Sequence, residues 1–357
     1  MGRHANIAIF VPHLGCPRQC SFCEQGTITG QGRDRPPTPE DVLSAAETAA
    51  RSLEDCGGAE IAFFGGSFTA IDRGYMLSLL EAAGRAVDRY GFKGIRCSTR
   101  PDAVDEEVLD ILKGHRVTAV ELGAQSMDDG VLAANRRGHT AEDTRRAAGL
   151  IRRAGLELGV QMMTGLYTDT DERALRTARE LVRLGPETAR IYPTIVLPGT
   201  ELHRLYEAGE YRPQELSEAV ELCAELLDIF EEAGVRVIRV GLHPGEELER
   251  RMAAGPYHQA LRQLAESRRF LRRLCERLGE PGKYTVAVNP RDISTALGQG
   301  KENLRRLGDM GYRVDFVQDK TVERGGTKVS PAFPKAVGVE GAASRNECQK
   351  PHPRRRP

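Results

Sequence analysis

Along the first 245 residues, short runs of apolar and β-branched residues alternate with longer stretches whose apolar positions recur every three to four residues. The short runs are "NIAIFV" (6–11), "EIAFFGG" (60–66), "GIRCST" (94–99), "TAVELGAQS" (118–126), "LELGVQMM" (156–163), "ARIYPTIVL" (189–197) and "VRVIRVGL" (235–242). Their length and composition predict strands, whereas the intervening segments, such as "PEDVLSAAETAARSLEDC" and "RALRTARELVRLG", carry the helical period. Alternating strands and helices predict a parallel sheet covered by helices. Six or seven βα units fit a doubly wound sheet or a full or partial barrel, and the pattern leaves that choice open; in each case chemistry belongs at the carboxyl ends of the strands.

Beyond the seventh run, "GPYHQALRQLAESRRFLRRLCERLG" (255–279) is strongly helical. A small unit follows, "KYTVAVNPRDISTALGQGKENLRRLGDMGYRVDFVQD" (283–319), which reads strand, helix, tight Gly turn, helix, strand. The remainder is rich in Gly, Pro, Lys and Arg without a periodic apolar face, a composition expected to stay disordered. The expected organisation is therefore a core over 1–250, a helical connector over 251–281, a small α/β unit over 282–319 and a disordered tail over 320–357.

Composition narrows the picture. The chain has 357 residues, 40% of them hydrophobic, enough for one large core. No apolar run reaches the length of a signal peptide or a membrane span, and Asn6 stands where a myristoylation signal needs Ser or Thr. A soluble, cytoplasmic protein without a membrane partner is expected. Lys plus Arg and Asp plus Glu balance at 51 each, so net charge argues neither for nor against a polyanionic partner. Arginine pairs at 136–137, 145–146 and 152–153, and a cluster at 268–273, read first as solvated helix faces.

Three of the eight cysteines, Cys16, Cys20 and Cys23, fall within eight residues of "VPHLGCPRQCSFCEQG", just after the first predicted strand. The others are scattered, which argues against a disulfide framework. A zinc site would want a fourth ligand, for which His13 is at hand. A redox Cys-x-x-Cys pair would leave Cys16 unexplained. Three thiolates in one loop also suit a 4Fe-4S cluster whose fourth iron stays open to a small molecule, since a closed electron-transfer cluster would take four cysteines.

Cys-x3-Cys-x-Phe-Cys directly after the first strand of a βα array resembles the radical S-adenosylmethionine superfamily. That resemblance implies a partial (β/α)6-type barrel and two cofactors, a 4Fe-4S cluster held by Cys16, Cys20 and Cys23 and S-adenosylmethionine chelated to the open iron. It also implies a one-electron donor of the flavodoxin or ferredoxin type, and a 5'-deoxyadenosyl radical that takes a hydrogen atom from substrate. Gly65 and Gly66 in "FFGGSFTAI" resemble the family's glycine turn beside the methionine amino group, with Ser67 where the family carries an acidic residue. "CSTRPDAV", "ELGAQSMDD", "NRRGHT" and "RIYPTIVLPGTELHRLYEAGEYRP" are similar in order and spacing to the radical domain of the Elongator catalytic subunits, which modify the wobble uridine of tRNA. By that resemblance Gln125 and Arg137 face the methionine carboxylate and nearby groups, and Ser126 the ribose; Arg100 and Tyr192, at predicted strand ends, stand on the substrate side, Arg100 to bind or support substrate and Tyr192 to meet it or to pack with one hydrogen bond. His13 orients or caps the cluster loop.

Those subunits carry an acetyltransferase-like second domain, for which the sequence after about residue 280 leaves no room. The small unit there looks instead like a KH-type RNA-binding half. Gly298-Gln299-Gly300-Lys301 occupies the turn that clamps a nucleic-acid backbone, with Lys301 where the pattern has its second Gly. The resulting expectation is a radical enzyme acting on a tRNA base. Two alternatives stand beside it: a radical enzyme for a small molecule, like the oxygen-independent coproporphyrinogen oxidases, and a non-catalytic iron-sulfur or zinc protein that binds RNA.

Overall fold

The computed structural model describes residues 5–11, 20–24, 35–243 and 245–331. They form two compact units that divide between Arg273 and Leu274. The first is built on seven parallel strands, each hydrogen-bonded to the next in chain order: β1 (Ala5–Val11), β2 (Ala59–Gly65), β3 (Gly94–Thr99), β4 (Val117–Gln125), β5 (Glu157–Thr164), β6 (Thr188–Pro193) and β7 (Arg236–Val240). β1 and β7 are the free edges, so the curled sheet is an open barrel, the partial-barrel fold anticipated from the sequence, with seven strands where a six-unit type was expected.

Helices α1 (Pro39–Ser52), α2 (Arg73–Tyr90), α3 (Glu106–Gly114), α4 (Asp129–Ala134), α5 (Ala141–Arg153), α6 (Asp171–Arg183), α7 (Glu201–Glu207), α8 (Leu216–Glu232), α9 (Glu246–Arg251) and α10 (Leu261–Cys275) follow the strands. Their starts obey local chemistry. Thr38 and Asp41 form a reciprocal capping box on α1, and Asp72 caps α2, which ends at Gly91 in the left-handed region. The apolar face of α2, Met76, Leu79, Leu80, Ala83 and Ala86, is fully buried in one continuous core with Ile61 and Phe63 of β2 and Ile95 of β3. The strand expected over 189–197 stops at Pro193: the chain leaves the sheet there and Val196 pairs instead with Ala254. The helix expected from residue 255 begins only at Leu261.

The 268–273 arginine cluster is not simply a solvated face. Arg269, Arg272 and Arg273 all reach Asp228 on α8, at 2.9, 2.5 and 2.6 Å, and Arg269 also holds Glu231 at 2.7 Å.

The second unit has a three-stranded sheet in the order β10-β8-β9, from β8 (Lys283–Val288), β9 (Arg313–Gln318) and β10 (Thr327–Pro331). β9 runs parallel to β8 and β10 antiparallel. Two short helices, α11 (Ile293–Leu297) and α12 (Glu302–Asp309), connect β8 to β9. Val286, Val288, Ala296 and Leu307 are its fully buried side chains. β10 lies in the stretch the composition assigns to a disordered tail, and that expectation is corrected for residues 320–331. The strand is only five residues long and mostly exposed at a sheet edge, so it needs no apolar alternation to betray it.

Candidate active site

The mouth of the open barrel is organised by β1, β2 and β4. The carbonyl of Val11, the last residue of β1, accepts the Gly66 N–H at 2.8 Å. Gly65 has φ +110°, and a Cβ there would stand 2.9 Å from that same carbonyl oxygen. The glycine turn is thus pressed onto the strand that runs into the cysteine segment, an approach only a residue without a side chain permits. Ser67 is buried, its hydroxyl tied to Thr99 Oγ1 at 2.8 Å and accepting the Arg100 N–H at 3.2 Å, so it seals the turn against β3.

Cys16 and His13 lie outside the described residues. Cys20 is buried and Cys23 half-buried, with the Cys23 N–H donating to the Cys20 carbonyl at 3.2 Å. This segment is bracketed through Ser21. Its N–H and hydroxyl donate to Asn135 O and Oδ1 at 3.2 and 2.8 Å, and its carbonyl accepts Leu202 N–H at 2.7 Å. Asn135 is wholly buried and donates its amide to Val131 O and Tyr167 O at 2.8 and 3.0 Å. Phe22 packs against Val196, Leu202, Leu205 and Tyr211. Asn135 was not singled out in the sequence, where one Asn after a helix reads as an ordinary terminator.

Arg137 joins the cysteine segment to β4. One guanidinium nitrogen donates to Cys20 Sγ at 3.2 Å and another to Gly123 O at 2.7 Å, while its Nε is buried without a partner. Gln125 ends β4 in the left-handed region, φ +63°, and its Oε1 is likewise buried and unpartnered. Such a conformation costs a non-glycine residue about 1–3 kcal/mol and persists only where the surroundings impose it. His139 Nε2 meets the Ala124 carbonyl at 3.2 Å, and its Nδ1 is the third orphaned atom here. Burial, reinforced by the Arg137 charge, pulls the imidazole down to about 4, so it is neutral at physiological pH. A side chain at Gly123 would fill the space beside the Gln125 amide and the Arg137 guanidinium. Three buried polar atoms without a partner among the described residues, one of them on the guanidinium that reaches the Cys20 sulfur, form a cradle for a polar ligand.

Other residues singled out in the sequence are placed differently. Ser126 Oγ accepts the Asp128 N–H at 3.1 Å, just before α4, and lies 3.4 Å from Thr177 Oγ1 on α6. Arg100 forms a fork with Asp102 at 2.9 and 2.6 Å, and both charges lie within electrostatic reach of His139. Tyr192 is half-buried, with its hydroxyl 3.4 Å from Arg190. In the second unit, Gly298, Gly300 and Lys301 shape the turn between α11 and α12 with φ of 74, 57 and 61°, so Lys301 holds a left-handed conformation that favours glycine.

Deeper in the lumen lies an ion-pair layer that the strand reading overlooked. Arg96, wholly buried, donates to Glu60 at 2.9 and 3.0 Å and to Glu157 at 2.8 Å, with Glu121 at 3.4 Å. Glu121 in turn takes Arg190 at 2.7 and 3.0 Å, and Lys93 bridges Glu60 and Glu157. Burial alone would raise the Glu60 carboxyl; Arg96 and Lys93 outweigh it and hold it below the usual carboxylate range. The layer needs Gly159, where a Cβ would stand 2.7 Å from Glu121 Cγ. Single charged residues inside four of the apolar runs, in "EIAFF", "IRCST", "VELG" and "RIYP", were the available signal.

Two family models cover this architecture: the Radical SAM superfamily matches residues 10–181 and the Radical_SAM C-terminal domain residues 186–273. The chain belongs to the radical SAM superfamily. Among curated proteins it is 28% identical over 257 residues to the tRNA uridine(34) acetyltransferase of Methanocaldococcus infernus, covering 61% of this chain and 48% of that protein. It is 30% identical over 236 residues to Elongator complex protein 3 of Mus musculus, covering 65% and 40%. The radical SAM chain thus spans about half the length, or less, of these relatives. In fold it is similar to the archaeal Methanocaldococcus infernus Elp3, with TM-score 0.61 at 21% identity over 77% of this chain and 64% of that one. Radical SAM enzymes use a 4Fe-4S cluster and S-adenosylmethionine. The cradle fits them: cysteine sulfur beside a guanidinium, a glycine turn with no side chain, and orphaned donors and acceptors of the kind an amino acid moiety satisfies.

Proposed function

We propose that this radical SAM enzyme acts on a tRNA base, with Cys16, Cys20 and Cys23 as cluster ligands and Gly65, Gly66, Gln125 and Arg137 as the S-adenosylmethionine cradle. The observation that carries the cradle is the convergence of Cys20, Arg137 and Gln125 at the end of β4. The tRNA assignment rests on likeness to tRNA uridine(34) acetyltransferases across the radical domain. When bound and reduced by one electron from a flavodoxin- or ferredoxin-type donor, the two cofactors supply a carbon-centred radical that abstracts hydrogen from substrate.

The chain's own residues orient and shield. Arg137 donates to Cys20 Sγ, stabilising thiolate charge, and its free Nε has the geometry to serve a carboxylate. Gln125 presents a carbonyl oxygen that accepts from an ammonium or hydroxyl. Asn135 and the Phe22 cluster hold the cysteine segment against the barrel and keep water from that side. In the second unit, the Gly298–Lys301 turn and its lysine contact the RNA backbone.

The test is anaerobic reconstitution, dithionite reduction and chromatography for 5'-deoxyadenosine, with and without bulk tRNA from cells lacking the protein. Deoxyadenosine that rises at least severalfold with tRNA supports the reading. Formation indifferent to tRNA keeps the radical chemistry and rejects the tRNA substrate in favour of a small molecule, and no formation at all rejects catalysis.

A further inference from the structure

Register across the last three strands sets Gln161, Arg190 and Arg239 side by side on the lumen face, and the next row toward the carboxyl ends begins Met163, Tyr192. Two arginines directly opposite each other on neighbouring strands repel, and in a half-buried lumen the repulsion is weakly screened. Arg190 spends Nε and Nη2 on Glu121 and stacks over the Phe64 ring at 4.7 Å. Arg239 has no such relief. Its Nε and Nη2 donate to the carbonyls of Gly241 and Leu242 at 3.0 and 2.7 Å, and among the described residues no carboxylate pairs with it. Burial lowers the affinity of this guanidinium for its proton, and Arg190 adds to that while Tyr192 opposes it. Among the described residues, the ion-paired layer sets Lys93, Arg96 and Arg190 against Glu60, Glu121 and Glu157, and Arg239 stands beside it as a surplus cation bonded to backbone carbonyls.

The surplus sits beside hydrogen-bond donors. The Tyr257 hydroxyl is buried without a partner among the described residues and lies within electrostatic reach of Arg239, as does Tyr192. Tyr257, Gly241 and Leu242 also line a small cleft with Pro193 and His258. A fold gains nothing by burying like charges side by side; with Nε and Nη2 held by the Gly241 and Leu242 carbonyls, the Nη1 side of the Arg239 guanidinium is left to meet an oxyanion beside the two phenols.

We propose that Arg239, with Tyr192 and Tyr257 and the field of Arg190, forms an anion subsite at the β6–β7 side of the lumen that takes a phosphate or carboxylate group of the molecule being acted on. The proposal rests on the preceding reading only in taking the lumen as the place where substrate sits. The oxyanion has two sources, the phosphate of a nucleotide and the carboxylate of a small co-substrate, and the shared chemistry is the planar or tetrahedral oxyanion held by the guanidinium.

The test is calorimetric titration of the reconstituted holoenzyme with uridine, uridine 5'-monophosphate, inorganic phosphate and acetate at low ionic strength. Binding of uridine 5'-monophosphate at least tenfold tighter than uridine, with phosphate competing and acetate not, supports the subsite with a phosphoryl source. Acetate binding that phosphate cannot displace supports it with a carboxylate source. In either case Arg239→Gln should lose the anion preference at least tenfold. Arg239→Lys, which keeps charge but not the fork, should retain part of it, and Tyr257→Phe should weaken it severalfold. No anion binding to the unaltered protein at millimolar concentration overturns the proposal, whether or not the variants fold, and so does full anion preference in Arg239→Gln. Deoxyadenosine formation is not part of the readout, so failure here leaves the tRNA test standing, and failure there leaves this one.

Discussion

At the base of the lumen, Glu60, Arg96, Glu121, Glu157 and Arg190 are joined by hydrogen bonds of 2.7–3.4 Å until every carboxylate faces a guanidinium. At the end of β4, a few residues higher on the same sheet, Gln125, Arg137 and His139 each keep one buried polar atom without a partner. The inventory of side chains is similar and the accounting opposite. Desolvation has been compensated at the base, which makes the base a structural element; at the rim it has been left uncompensated, which a fold tolerates where a ligand completes the bonding. Breaking the base should therefore cost stability, and altering the rim should cost binding.

The largest expected effect follows from removing the one cation shared by three carboxylates. Arg96→Met takes from Glu60 its buried partner and from Glu121 and Glu157 a shared one, leaving Arg190 and the half-exposed Lys93 to hold the layer, and about 2–4 kcal/mol of unfolding free energy should disappear. Urea unfolding with two-state analysis measures it; a loss under about 1 kcal/mol would mean that water already reaches the layer.

Next in size is the pH dependence carried by His139. Its folded value of about 4 lies below the ordinary 6.5, so the unfolded chain binds the additional proton between those values. The stabilisation is complete above pH 6.5 and falls as the pH drops toward 4. By linkage the wild type should lose about 2 kcal/mol at pH 5 relative to pH 7.5 through this group, and His139→Gln should lose correspondingly less. Equal losses in both proteins, read from urea midpoints, would show that the imidazole is not held neutral.

These two regions also divide what the sequence discloses from what it conceals. The alternation of apolar runs and helical periods identifies all seven strands of the sheet, because a parallel strand buried on both faces is almost uninterrupted in its apolar character. The single charges within those runs are equally visible, but their pairing is not: Arg96 meets Glu157 across sixty-one positions of chain, and only register brings them together. At the rim, Gln125 and Arg137 fall together in space as their motifs suggest. Ser126, adjacent in sequence to Gln125, is turned toward Thr177 after the bulge in β4. Arg100 pairs with Asp102, a partner two residues away that a reading of strand ends passes over. Asn135 and His139 carry their roles through backbone carbonyls of distant segments, and nothing in their neighbours announces that.

A smaller effect separates binding from folding at Gln125. Gln125→Gly removes the left-handed strain and the orphaned amide together, so stability should hold or rise by about 1 kcal/mol. S-adenosylmethionine affinity, measured by equilibrium dialysis on reconstituted protein, should drop at least tenfold. Unchanged affinity would move the rim's orphaned atoms out of the cofactor's reach and undo the contrast with the base.

The smallest effect tests whether the second unit has a rim of its own. Lys301 precedes α12 with φ +61°, in a turn whose other positive-φ residues are both glycine. If its charge neutralises one phosphate, Lys301→Glu should weaken tRNA association severalfold and flatten the dependence of log affinity on log salt by about one unit, because one fewer counterion is released. Lys301→Gly should gain a few tenths of a kcal/mol in stability by relieving the left-handed backbone and still lose the same unit of slope. The pair separates charge from conformation: a flattened slope in both locates the phosphate at the ammonium. A slope unchanged in both makes the turn a structural joint, whose lysine tolerates its conformation as an exposed hairpin residue does.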